Sequence, residues 1–125
     1  MQPRPLIVVR DVEASSRFYQ ALLACHSGHG GPEYERIVDA HGRLVLQLHG
    51  WDTEEHPHMG HPSRPVGNGV LLWFETPDFD AALARARSSG TIVLDGPLVN
   101  PNSGQRELWL RDPDGYVVVL ATPEP

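Results

Sequence analysis

The chain is poor in cysteine, in basic residues and in long apolar runs. A single cysteine, Cys25, among 125 residues excludes an intrachain disulfide. It follows an apolar run at helical spacing, so it reads as a small buried hydrophobe rather than a nucleophile. Lys and Arg number 10 against 16 Asp and Glu, giving a net charge of −6. No basic stripe is left to neutralise phosphates, so nucleic acid is not an expected partner. No apolar stretch reaches membrane-spanning length, and the first residues lack an apolar signal core. No membrane association and a cytoplasmic location are therefore expected. Nucleophile elbow, phosphate-cradling Gly-rich loop and Cys-x-x-Cys are all missing.

What is present is the composition of an ordinary globular protein, 40% hydrophobic and 21% charged. The most regular stretch runs from Arg106 to Leu120, two alternating segments joined by Asp112-Pro-Asp-Gly115. Pro113 presets φ for a type I turn, and Gly115 takes the left-handed conformation after it. Such a turn makes a three-residue hairpin with a bulge and fixes register. Asp112 is then expected opposite Tyr116, Trp109 opposite Val119 and Glu107 opposite Ala121. One face carries Leu108, Leu110, Val118 and Leu120 and belongs to a core. The other carries Glu107, Trp109, Arg111, Val117 and Val119.

Elsewhere, Leu6–Val9 is a β-branched strand, and Asp11 caps a helix running to about Ala24 with Val12, Phe18, Tyr19, Leu22 and Leu23 at helical spacing. His26 to Pro32 reads as a loop or an irregular edge strand. Strands follow at Tyr34–Asp39 and Arg43–His49. The second puts Leu44, Leu46 and Leu48 on one face and Val45, Gln47 and His49 on the other. After an aperiodic stretch rich in Pro, Gly and His, Val70–Glu75 is a strand. Asp78 caps a second helix bearing Phe79, Ala82, Leu83 and Ala86, stopped at Gly90. Thr91–Asp95 is a strand and Gly96–Gly104 a loop before the hairpin. The order β-α-β-β-β occurs twice. The expected class is α+β: one domain over residues 1–125, with tandem βαβββ modules at about 1–50 and 69–125 and a linker over 51–68. Neither module can bury its sheet alone.

Three motifs carry a family resemblance. The segment Arg10-Asp-Val-Glu-Ala-Ser-Ser-Arg-Phe-Tyr19 after a strand resembles the opening of the vicinal oxygen chelate superfamily. That superfamily includes glyoxalase I, bleomycin-resistance proteins, extradiol dioxygenases and fosfomycin-resistance enzymes. Phe74-Glu-Thr-Pro-Asp-Phe-Asp-Ala-Ala82 resembles the start of its second module, and Asp112-Pro-Asp-Gly-Tyr116 its closing hairpin. The resemblance implies a cup-shaped half-barrel built from both modules. A homodimer is expected to cover the exposed strand edges. The resemblance also implies four positions that usually hold a divalent metal. They fall at Arg4, Gln47, Leu71 and Val119, and only Gln47 could coordinate. Among the named relatives, metal-independent binding of the bleomycin-resistance type fits best, and no cofactor is expected.

The expected ligand-binding residues are Gln47, His49, Trp73, Glu107 and Trp109, above an apolar floor of Leu71, Val117 and Val119. A planar or cationic small molecule would stack on the indoles with Glu107 as counter-charge. The competing reading has both tryptophans filling a core or dimer interface, with Glu107 paired to Arg111 or Arg106. A second class of function is a lyase, isomerase or dioxygenase-type enzyme with a non-standard metal or acid/base site on His49 and Glu107. Whether His56, His58 and His61 bind a divalent metal or only populate a polar linker stays open. His26, His29 and His41 read as surface loop residues. The loop Asn100–Gly104 either donates amides to a ligand or serves turn geometry alone.

Overall fold

The computed structural model describes residues 1–125, which divide into two compact units, Met1–Pro65 and Val66–Pro125. In the first, strand β1 (Leu6–Val9) leads into helix α1 (Val12–Leu23), then β2 (His26–Ser27), β3 (Tyr34–Val38) and β4 (Leu44–Gly50). Asp11 caps α1 by accepting the Ala14 N–H at 2.9 Å. Ala24 closes it in the left-handed conformation. The sheet order is β1-β4-β3-β2, with β1 parallel to β4 and the other pairs antiparallel. Ile37, Leu46 and Leu48 form a buried face with Val12, Tyr19 and Leu22 of the helix.

The second unit repeats the plan with β5 (Leu71–Glu75), α2 (Phe79–Ser88), β6 (Ile92–Val99), β7 (Arg106–Arg111) and β8 (Val117–Ala121). Its sheet order is β5-β8-β7-β6, with β5 parallel to β8. Asp78 caps α2 through the Ala81 N–H at 3.0 Å. Each unit is thus an open four-stranded sheet with one helix, the α+β class and tandem modules that the repeat predicts. No helix is long and apolar enough to cross a membrane.

The hairpin register is the expected one: Glu107 faces Ala121, Trp109 faces Val119, and the Asp112 N–H donates to the Tyr116 carbonyl at 2.9 Å. Asp112 Oδ1 also accepts the N–H groups of Asp114, Gly115 and Tyr116, each at 2.9 Å. That convergence satisfies the turn's donors without help from water.

Three local expectations need correction. Strand β6 does not stop at Asp95 but continues through Gly96 and Pro97 to Val99. It lies at the sheet edge with a register shift between Asp95 and Leu98, where a proline costs no ladder bond. Gly96 is required there: its φ is +94°, and a Cβ would lie 2.6 Å from the Glu107 carbonyl oxygen. Cys25 is half-buried rather than buried, because it follows the helix end. Residues 51–68 are not wholly irregular, since a short 3-10 helix spans Pro57–Met59.

Glu35 is a buried carboxylate that periodicity does not reveal. It shares the inward face of β3 with Ile37 and is only 3% exposed. Burial pushes its pKa up, but hydrogen bonds from Ser27 Oγ, Gly30 N–H, Ser16 Oγ and Arg36 N–H outweigh this and hold it at about 2, against an ordinary 4.5. The His29 N–H adds a further bond at 3.0 Å. The folded pKa lies below the unfolded one, so this stabilisation is complete above pH 4.5 and is lost as pH falls through about 2. It amounts to about 3 kcal/mol. Urea midpoints measured across that acid window should fall steeply in the wild type and much less in Glu35→Gln.

Candidate functional site

Each unit gathers a cluster of the residues singled out above. In the second unit, strand pairing places Trp73 and Trp109 on either side of Val119, one residue from each of three adjacent strands. All three side chains share one face of the sheet. The indoles meet edge to face at 6.2 Å between centroids, and Trp73 keeps 40% of its surface exposed. The contact is therefore neither a fully buried core pair nor an isolated surface ring.

Glu107 lies two residues before Trp109 on the same face and is 2% exposed. Its Oε1 accepts the Trp109 indole N–H at 3.0 Å, and its Oε2 accepts the Asn100 amide at 2.9 Å. Asn100 serves the turn at the same time, because its Oδ1 accepts the Asn102 N–H at 2.9 Å. Asn100 therefore serves the turn, and its amide is directed to Glu107. Glu107 does not pair with either arginine. Arg106 meets Asp80 at 3.0 Å and lies over the Phe79 ring, while Arg111 donates to the Gly115 carbonyl at 2.7 Å.

In the first unit, Gln47 and His49 alternate outward along β4, and the register sets Tyr34 opposite His49. The Tyr34 hydroxyl donates to Gln47 Oε1 at 2.5 Å, and Gln47 Nε2 donates to the Arg4 carbonyl at 3.0 Å. His49 Nδ1 lies 2.7 Å from the Gly50 carbonyl oxygen. A carbonyl only accepts, so Nδ1 is the donor in this bond and Nε2 is the ring nitrogen it leaves unengaged. His49 stands edge-on to Tyr34 on one side and to His56 on the other, at 6.3 and 5.4 Å. Tyr34, His49 and His56, but not Gln47 or Arg4, line a cleft of about 560 Å³ together with Arg10, Trp51 and Asp52. Sequence reasoning passed over Tyr34 and Asp52. Tyr34 had a signal, its place two residues before Arg36 on the outward side of β3, whereas Asp52 had none.

The loop histidines separate. His56 comes together with Asp52 and Glu55. His61 Nδ1 instead lies 2.7 Å from Ser63 Oγ, and His58 joins no such group.

A family model described as Glyoxalase/Bleomycin resistance protein/Dioxygenase superfamily matches residues 2–120. The chain belongs to that superfamily. Solved structures agree on the fold. A protein of unknown function from Agrobacterium tumefaciens str. C58 superposes with a TM-score of 0.79 at 22% identity, covering 98% of this chain and 94% of that one. A glyoxalase/bleomycin resistance protein/dioxygenase family enzyme from Burkholderia phytofirmans PsJN gives 0.75 at 20% identity, covering 94% of each. An integron cassette protein of Vibrio cholerae gives 0.72 at 19% identity, covering 98% and 95%. No curated protein matches.

A superfamily metal does not fit the residues at the positions that the resemblance assigns to it. Leu71 and Val119 have no donor atom, Arg4 is a cation, and the Gln47 amide already engages Tyr34 and Arg4.

The Glu107 cluster gives a direct test. Glu107→Leu removes the partner of a part-buried indole N–H and of the Asn100 amide. It should cost about 1–3 kcal/mol in urea unfolding and change the emission of Trp109. An unchanged midpoint and spectrum would show that the carboxylate does not hold the ring.

Proposed function

We propose that this protein binds a small planar or cationic molecule on the Trp73–Trp109 platform, in the metal-independent manner of a bleomycin-resistance protein. One observation carries the reading: a partly exposed indole stands against a second indole whose N–H is anchored to a buried carboxylate. A rigid aromatic pair offers stacking area at low entropic cost. Glu107 beneath it adds negative charge, and the indole faces attract cations in the same sense. In the first unit, His49 supplies a polar contact to that unit's own cleft.

Intrinsic fluorescence tests this reading. Trp51 is the third tryptophan, so a Trp51→Phe background isolates the pair. Titration with a planar cation such as an acridinium dye should quench the emission saturably, with or without chelator. Trp73→Ala should weaken binding by about 10-fold, equivalent to the loss of one stacking contact. Equal affinity in Trp73→Ala would refute the platform.

We also infer that the protein acts as a homodimer. Strand β6 is an edge, and it leaves Ile92 and Val99 63% and 64% exposed. An apolar edge of this kind invites strand pairing with a second copy. Sedimentation should give the mass of two chains, and Ile92→Lys with Val99→Lys should shift it to one. A wild-type monomer at high concentration would exclude the dimer.

A further inference from the structure

We propose that Asp52, Glu55 and His56, together with His49, form a binding site for a borderline first-row divalent cation such as Zn²⁺. The site lies in the first unit and uses neither Gln47 nor Arg4 nor the tryptophan pair. Its basis is local geometry. The His56 N–H donates to the Asp52 carbonyl at 3.0 Å, which closes one turn of i to i+4 type. Residues 52, 55 and 56 therefore project from the same side of that turn. One ligand atom from each lies within 4.8 Å of the other two, so side-chain closing of an ångström or so would bring them to the roughly 3.3 Å that donors keep around a tetrahedral Zn²⁺. Asp52 Oδ1 accepts the Glu55 N–H at 3.1 Å, which fixes that carboxylate and leaves Oδ2 for a cation.

The proposed fourth donor is His49 of β4, which stands beside this trio rather than within its 4.8 Å grouping. The His49 ring stands perpendicular to the His56 ring at 5.4 Å, and both line the same cleft. The Gly50 carbonyl holds His49 Nδ1 as a donor, so the nitrogen left to coordinate is Nε2. A backbone carbonyl orienting a ligand imidazole through its other nitrogen is the usual support of metal-binding histidines. The set is two imidazoles and two carboxylates. Imidazole selects Zn²⁺ or Co²⁺ over Mg²⁺ and Ca²⁺, which favour all-oxygen sites. Two carboxylates neutralise the ion, and the cleft leaves room for water or a ligand oxygen at a further position.

The full chain, stripped with chelator and dialysed, would be titrated with Zn²⁺ by calorimetry and with Co²⁺ by visible absorption. One equivalent of each should bind, and Mg²⁺ should not compete. His56→Ala, Glu55→Gln and His49→Ala should each weaken Zn²⁺ binding by about 10-fold or more, with circular dichroism unchanged. His58→Ala, His61→Ala and Trp73→Ala should bind as the wild type does, so this site and the indole platform stand or fall separately. No saturable Zn²⁺ binding would overturn the proposal. So would equal losses in His58→Ala or His61→Ala, or wild-type affinity in both Glu55→Gln and His49→Ala.

Discussion

Three backbone N–H groups converge on one carboxylate oxygen of Asp112, and the register of the β7–β8 hairpin depends on that turn. Side chains alternate across a strand, so a slip of one residue would exchange the two faces. Leu108, Leu110, Val118 and Leu120 would leave the core, and Glu107 and Trp109 would enter it. The pairing of β8 with β5 then carries the register across to Trp73. The aromatic row is thus set by a turn close to Trp109 but far from Trp73 in sequence, through main-chain hydrogen bonds rather than through contacts between the rings.

Two buried glutamates show why burial alone does not identify a site. Glu35 and Glu107 occupy equivalent strands of the two units, β3 and β7, and both are almost fully enclosed. Glu35 faces the helix side, beside Ile37. Its donors are two hydroxyls and three backbone N–H groups, which tie the His26–Pro32 segment to α1 and β3. Such a carboxylate is fully employed in holding the fold. Glu107 lies on the opposite kind of face, among aromatic neighbours, and its donors are two side chains. Partners of this kind position an indole, whereas partners of the first kind position a loop.

Much of the fold was legible because it is written in short-range patterns. Asp11 and Asp78 cap their helices as residues of that type do before an apolar run. Alternation in β4, β7 and β8 separates the faces correctly, and the turn residues alone give the hairpin pairing. The proximity of Trp73 to Trp109 follows once β5 is set parallel to β8. Other features depend on long-range or single-turn geometry. Gly96 and Pro97 read as loop residues, yet an edge strand tolerates them because its outer side needs no ladder bonds. The donors of Glu35 come from three separate segments. Asp52, Glu55 and His56 converge through one hydrogen-bonded turn, which is too short to leave any periodicity.

Val119 connects the altered donor set with the tryptophans. Val119 is one of the four positions at which the resemblance implies a metal ligand, and here the side chain is apolar and 0% exposed. Strand pairing sets Trp73 beside it on one strand and Trp109 beside it on the other. An ionised carboxylate there, without a metal, would be a buried charge between indole rings, at a cost of several kcal/mol. Valine removes that cost and fills the floor beneath the rings. Glu107, one strand away, lies in the same region, and its two carboxylate oxygens accept from the Asn100 amide and the Trp109 indole N–H. The second unit thus holds a buried carboxylate whose oxygens are satisfied by its own side chains. An apolar Val119 and an anchored Trp109 are two parts of one arrangement.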